Sequence, residues 1–423
     1  MHGKVGHIYV RQRVPSAFAI GSRWKQISPV TKEERVFGEV LIGQDVSRDA
    51  AMTKAVFGRD FPILVSSGFA RLFRGLCLPV GYPESATANY SLFVRYNLIQ
   101  VSLISVTRIL STQAMLLAVG MGQAGALPMA AVVNWLLKDG LGHLGSILVG
   151  TRINTKFDSD PKRYKFLSVF LGQCANFLGI LSLSRPGMFL VFTSLSSALS
   201  RIGTLAVTAS RARIYEDFSL QGNLGDLIRC SQSQSTVATL LGTVVGVALA
   251  PVIGGDISWI LSVFVPATVA THYMAYKAVS VIELSTFNRQ RFELVMKEFL
   301  DNNIVPTYQQ VALEERFILS RSLFPQIQIN PQIDAAFVDM KLEENLRHLG
   351  YTIYQPSSES VVLHVSENAT AIQVIEGMFN ACSKTYGEDV ASFPQFLEAA
   401  HSAGWRTHVA FIDNPQYRLS LVH

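Results

Sequence analysis

The sequence predicts a mostly α-helical fold, a hydrophobic multi-helix bundle of membrane type followed by a small C-terminal α+β domain. Three observations predict it. Hydrophobic residues make up 49% of the 423 residues and charged residues only 16%, against roughly 25% charged in a typical soluble domain. Between about residues 61 and 300 the chain carries long runs with few or no charges, several of them near the roughly 20 apolar residues that a bilayer-spanning helix needs. Beyond residue 300 the composition returns to that of a soluble domain, with helix and strand periodicities in turn. The chain therefore divides into a basic segment (1–60), a hydrophobic helical core (61–300) and a C-terminal α+β domain (301–423).

The first segment has no acidic residue before Glu33 but carries Lys4, Arg11, Arg13, Arg23, Lys25 and Lys32. Basic and acid-free is the composition of an organelle transit region, and no apolar stretch of signal-peptide type follows. An ordinary basic tail is the alternative. The net charge of +5 is mild, and basic residues in so apolar a chain suit anionic lipid headgroups rather than nucleic acid.

In the core, Ile109 to Leu137, Phe166 to Ser184, Pro186 to Ser200 and Thr236 to Gly254 are uncharged, and Ile257 to Tyr276 holds His272 but no Asp, Glu, Lys or Arg. Up to six hydrophobic helices are expected, at about 98–118, 126–150, 166–184, 187–209, 236–254 and 257–276. The connectors alternate. One holds Arg152, Lys156, Lys162, Arg163 and Lys165, the next basic one holds Arg211, Arg213 and Arg229, and Lys277, Arg289 and Arg291 follow the last run. Those between are nearly free of positive charge, so six spans would place the basic connectors on one side, the positive-inside pattern. Arg108, Lys138, Asp139 and Arg201 interrupt the runs, and charges at such depth face protein or water. A soluble bundle with helices buried on all sides is the alternative. Gly242 to Gly246 (GTVVG) and Ser194 to Ser200 (SLSSALS) are small-residue faces that let helix backbones approach closely.

Gly120 to Gly125 reads GMGQAG, the spacing of a dinucleotide-binding turn. That turn needs a strand before it, a helix after it and an acid about 20 residues on. Here Asn97, Gln100, Ser105, Arg108, Ser111 and Thr112 fall on one side of a helix before it. Pro128 suits a following helix start, and the nearest acid, Asp139, lies within the next apolar run. GMGQAG is read as a tight link between two helices.

Asp139 and His143 stand one helical turn apart and could share a proton or a metal, while Lys138 beside Asp139 makes an ion pair an equal reading. Gly81 to Ser85 (GYPES) is a turn-rich element. Cys77, Cys174, Cys230 and Cys382 form no C-x-x-C pair, so reduced thiols are expected rather than disulfides or a structural zinc site. Asn89 and Asn368 head formal glycosylation sequons, read as unused.

In the C-terminal region, LEENLRHLG reads as a helix ending at Gly350, SVVLHVS as a strand, ATAIQVIEGMFNACSKTYG as a helix and FPQFLEAAHSAGW as a helix closed by Gly404. THVAFID and YRLSLV read as strands, alternatively as a hairpin turning at Asn414-Pro415. Thr307 and Gln310 form a capping box. His364, His401 and His408 have no metal-ligand spacing.

Several segments together resemble the ROOT UVB SENSITIVE family. LPVGYPESATANY is similar to its opening signature, RILSTQAMLLAVGMG to its Leu-Ser-Thr-Gln-Ala helix, WLLKDGLGHLGSILVG to its Trp-x-Leu-(Arg/Lys)-Asp-Gly helix and NLGDLIRCSQSQSTVATLLG to its Ser-Gln segment. RQRFELVMKEFL and VPTYQQVALEE also fit. The chain departs from the family where a Lys-Glu-Gly-Ser-Gln element reads Arg229-Cys230-Ser231-Gln232-Ser233-Gln234, and where a Gln-His pair would follow TASRARIYEDF. The resemblance implies links to UV-B response, development, auxin and vitamin B6 homeostasis, and action in pairs with a paralogue. Tyr82, Pro83, Glu84, Gln113, Asp139, Gly140, Ser233 and Gln234 match its motifs and are the candidate functional positions.

The preferred reading is a non-enzymatic scaffold or adaptor in an organelle membrane (plastid or mitochondrion) or endomembrane, working through a protein partner. No cofactor, metal, catalytic residue or nucleic-acid partner is expected. The alternative is a small-molecule transporter with Arg108, Asp139 and Arg201 lining a polar path. A second alternative is an enzyme on a soluble helical bundle.

Overall fold

The computed structural model describes strands β1 (Arg23–Ile27) and β2 (Glu34–Glu39), residues 75–120, scattered positions in 133–147, and residues 156–318, 322–331, 348–357, 360–386, 392–413 and 418–419. Contacts divide the chain into two units, 1–78 and 79–423. In the first unit β1 and β2 pair antiparallel. Most of the expected transit region, Gly125 of the glycine link and the proposed turn at Asn414-Pro415 lie outside the described residues.

The second unit begins with the helices. They are α1 (Tyr90–Ala118), the single turn α2 (Lys156–Ser159), α3 (Pro161–Ser184), α4 (Phe189–Phe218), α5 (Leu224–Ile253) and α6 (Ile257–Ser280). Five segments, Tyr90–Ala118, Pro161–Ser184, Pro186–Phe218, Leu224–Ile253 and Ile257–Ser280, are long and apolar enough to cross a bilayer. Local chemistry sets their ends. Pro161 opens α3 with a φ already suited to the first turn. Asp256 caps α6 by accepting from Ser258 N at 2.7 Å. Gly120, at φ 85, closes the turn after α1, so the element before the glycine link is a helix and not a strand.

Three of these helices, α3, α4 and α5, extend past the uncharged runs into the basic stretches. Arg211 and Arg213, read from sequence as connector residues, lie inside α4, Lys162, Arg163 and Lys165 inside α3, and Arg229 inside α5. Arginine and lysine are good helix formers, and Arg213 pairs with Glu216 and Asp217 one turn ahead. A loss of apolar character therefore marks the end of the uncharged run, not the end of the helix.

The contacts give the helix directions. α1 and α5 run parallel, because Ser102 Oγ donates to Ala238 O at 3.0 Å and Gln113 Nε2 to Ala250 O at 2.9 Å. α1 and α3 also run parallel, because Lys165 meets Asn97 at 2.8 Å and Gln173 meets Thr107 at 3.2 Å. α3 and α4 are antiparallel, since Ser196 Oγ donates to Ala175 O at 2.7 Å and Gly203 packs on Ser168. Between α1 and α3, the described positions from Val133 to Ile147 are helical, and Gly142 lies against Ser197 of α4.

The small-residue face expected at Gly242 and Gly246 is the α1–α5 seam. A Cβ at Gly242 would sit 2.1 Å from Ser102 O, and one at Gly246 would sit 2.9 Å from Ile109 Cβ. Leu110, Ala114, Ile180, Ile253, Ile260 and Phe264 form the apolar centre of the bundle.

The chain continues through β3 (Thr286–Asn288), α7 (Arg289–Asn302), α8 (Tyr308–Glu314), β4 (Ile327–Ile329), β5 (Tyr351–Ser357), β6 (Ser360–Val365), α9 (Ala371–Tyr386), α10 (Phe393–Ser402) and β7 (Arg406–Phe411). The Thr307–Gln310 capping box forms, with Thr307 N donating to Gln310 Oε1 at 2.9 Å. The sheet order is β4-β6-β5, and β3 pairs in parallel with β7. Leu419 bridges to Ser366 at the end of β6; the turn of the alternative hairpin and most of its second strand lie outside the described residues. Phe287 and Phe292 join Phe379, Phe396 and Trp405 in one core, which thus draws on residues before 301.

Candidate functional site

A cavity of about 250 Å³ opens among α1, α3, α4 and α5. Its wall on α1 carries Phe93, Asn97, Gln100, Ile104 and Arg108, a helical stripe facing inward. α3 adds Lys165, Ser168 and Gly172, α4 adds Ser200, Thr204, Arg211 and Tyr215, and α5 adds Ser231 and Ser235. Asn97 and Arg108 are separated by about 16 Å along α1 at 1.5 Å per residue, so the cavity is elongated, with Lys165 near one end and Arg108 toward the other.

Its electrostatics are one-sided. Arg108, Lys165 and Arg211 line it, and among the described residues no Asp or Glu does. Lys165 is 7% exposed. Its ammonium donates to Asn97 Oδ1 at 2.8 Å and lies 5.3 Å from the centre of the Phe93 ring. Arg211 Nη1 donates to Gln232 Oε1 at 3.0 Å. The Arg108 guanidinium has no partner among the described residues. Gln100 is 4% exposed, and its Oε1 is buried with no donor facing it.

Buried cations elsewhere are neutralised. Lys162 Nζ and Arg291 Nη1 hold the two oxygens of Glu315 at 2.6 and 2.7 Å. Arg213 pairs with Asp217 at 3.5 Å and with Glu216. Burial opposes ionisation of Glu315, but Lys162 and Arg291 outweigh it and hold the carboxyl below the usual carboxylate range. These two clusters tie the starts of α3 and β3 and the end of α4 to the C-terminal region, and Asn89 meets Glu283 at 2.7 Å at the same end. The basic segments read from sequence therefore share one end of the bundle. Among the buried cations of the described residues, Lys165 alone has no carboxylate partner.

The motif positions are dispersed. The Tyr82 ring lies 6.0 Å from Tyr90, whose hydroxyl accepts from Gln234 Nε2 at 3.1 Å. Pro83 and Glu84 are exposed, and the Glu84 carbonyl accepts from Gln221 at 3.3 Å. Gln113 Nε2 donates to Ala250 O and Gly254 O, closing the end of α5 around Pro251. Gly140 is exposed and Ser233 half-buried. Asp139 faces Ser197 at 3.4 Å and Arg201 at 4.0 Å. Of the three charges expected along one polar path, only Arg108 lines the cavity among the described residues; Asp139 and Arg201 face each other instead. Sequence reasoning found Asn97, Gln100 and Arg108 as the polar arc of α1. It missed Lys165 and Arg211 by assigning them to connectors, and on α5 the residues that reach the cavity are Ser231 and Ser235 rather than Ser233 and Gln234. Among the described residues no cluster of His, Cys, Asp and Glu is placed to hold a metal.

A family model described as the vitamin B6 photo-protection and homoeostasis domain matches residues 65–303, a span that includes every residue lining the cavity. The chain is 25% identical over 361 residues to Protein root UVB sensitive 3 of Arabidopsis thaliana, covering 78% of this chain and 82% of that protein. It is 30% identical over 237 residues to Protein root UVB sensitive 2, chloroplastic, of the same plant, covering 56% and 54%. It is 28% identical over 259 residues to RUS family member 1 of Dictyostelium discoideum, covering 60% and 49%. The chain thus spans about half the length of the latter two relatives. No solved structure matches it.

Proposed function

Because the chain belongs to the root UVB sensitive family, the family of the vitamin B6 photo-protection and homoeostasis domain, we propose that it is an organelle or endomembrane protein whose helical bundle spans the bilayer and binds a small polar molecule for transport. The observation that carries this reading is the placement of cations inside the bundle and apolar side chains outside it. Its cavity holds Arg108, Lys165 and Arg211 with Asn97, Gln100 and several serines set among apolar side chains, while Leu240, Leu241, Val244, Val245 and Val252 of α5 and Trp259, Val265 and Val269 of α6 are exposed. So extended an apolar surface is covered by lipid or by a partner. Helices with polar groups inside and apolar groups outside suit lipid. The parallel directions of α1 and α3 suit six crossings, with the basic end on one side.

The non-enzymatic scaffold, preferred from sequence, becomes the second reading, favoured by the same exposed faces if a paralogue rather than lipid covers them. Carbonate extraction of membranes holding the full chain separates the two, followed by protease protection of a C-terminal tag. Retention in the pellet is expected, with the tag on the same side as an epitope placed after Ser280. Release into the supernatant would overturn the spanning bundle and leave the scaffold.

A further inference from the structure

We infer that the cavity among α1, α3, α4 and α5 is a binding site for a small organic oxyanion, a phosphate or carboxylate that also carries a hydroxyl or N–H donor. The inference deepens the ligand-binding reading above and rests on it. Three cations line the cavity without an acid, and none of them has an ion pair among the described residues. A buried charge with no counter-charge costs several kcal/mol, and the chain avoids that cost at Lys162, Arg213 and Arg291 by supplying Glu315, Asp217 and Glu216. At Lys165 it supplies only the neutral Asn97 and the face of Phe93. An anion entering the cavity completes the charge balance that the protein leaves open.

Gln100 adds the second requirement. Its Oε1 is a buried acceptor with no donor of its own, and such a group is satisfied by a ligand hydroxyl or N–H. Lys165 and Arg211 come from the basic end of the bundle, whereas Arg108 lies further along α1. The anionic group belongs at the Lys165–Arg211 end, with the rest of the molecule extending toward Arg108. A phosphorylated form of vitamin B6, the compound class in the family's description, has the required chemistry: an anion, a ring hydroxyl and a flat ring to lie beside Phe93 and Tyr215.

The test is calorimetric titration of the full chain in detergent with pyridoxine phosphate, which lacks the aldehyde that would label surface lysines. Binding is expected, with competition by inorganic phosphate. Lys165→Gln and Arg211→Gln should each weaken it by about tenfold or more, Lys165→Arg should restore most of it, and Arg229→Gln outside the cavity should leave it unchanged. Displacement by phosphatidylglycerol in mixed micelles would assign the oxyanion to a lipid headgroup, and its absence would assign it to a soluble compound; either supports the site. A flat titration with both phosphates overturns the inference. So does binding that Lys165→Gln and Arg211→Gln leave within twofold. Unphosphorylated pyridoxine binding as tightly as its phosphate would overturn the anion class while leaving the cavity a ligand site, and carbonate extraction reads the membrane reading separately.

Discussion

Replacing Glu315 by Gln should unfasten the C-terminal region from the helical bundle. Glu315 is 4% exposed and serves two cations at once, Lys162 (3% exposed) at 2.6 Å and Arg291 (1% exposed) at 2.7 Å. The amide keeps the shape but removes the only carboxylate that pairs with either cation among the described residues. Breaking a buried pair from one side costs about 3–5 kcal/mol, because the charge left behind cannot reach water. Arg291 keeps its bond to Thr286 O at 2.7 Å, and Asp160 stays close enough to feel its field, which places the cost toward about 3 kcal/mol on the same scale. In a protein of this size that corresponds to a fall in Tm of about 3 °C, read by thermal denaturation of the full chain in detergent. In a double-mutant cycle, Lys162→Met should cost less in the Glu315→Gln background than in the wild type. The sign of the pH dependence follows from the depressed folded value of Glu315. Its stabilisation is complete above the unfolded carboxylate value of about 4.3 and is lost only as the pH falls toward the lower folded value. A Glu315→Gln protein melting within about 1 °C of wild type, with no coupling to Lys162, would refute the reasoning.

Two further outcomes follow from the same coordinates. Gly242→Val would place a Cβ 2.1 Å from Ser102 O and 2.7 Å from Ser105 Cβ. α1 and α5 must then separate, at about 1–3 kcal/mol or more, and the protein should lose its monodisperse elution in detergent, whereas Gly225→Ala, with nothing within 4 Å, should elute like wild type. His364 is buried on β6 with Nδ1 unpartnered, and burial pushes its pKa down. Its folded form stays neutral while the unfolded chain takes up a proton below about pH 6.5, so stability should fall from there toward pH 5 or so. The Tm of His364→Gln should be flatter across that window, and an equal slope in both proteins would exclude His364 as the cause.

Much of the bundle was legible because apolar composition leaves a one-dimensional trace. The uncharged runs fell within the helices though often at one end of them, Gly242 and Gly246 marked a close approach, and Asn97 and Gln100 marked the inward side of α1, with Arg108 exposed further along the cavity wall. Helix ends were less legible. Arg211 and Arg213 keep α4 helical past its apolar run, because backbone hydrogen bonds do not depend on the polarity of the side chain. Gln113 illustrates the limits of motif reading, since the structure gives it the task of closing α5 at Pro251.

The sequence by itself determined the class of the protein: apolar helices of bilayer length, a C-terminal α+β region, and a family recognisable from ordered motifs. These follow from composition and local periodicity, which each segment carries independently of its neighbours. Only the tertiary structure decided which charges are paired. Lys162 and Lys165 stand three residues apart in one basic stretch, yet one meets Glu315 and the other faces a cavity without an acid. The same holds for Asp139, which meets Arg201 while Arg108 does not share their site. Pairing depends on helix direction and rotation, which are set by side chains on four different helices packing at once, and no single segment contains that information.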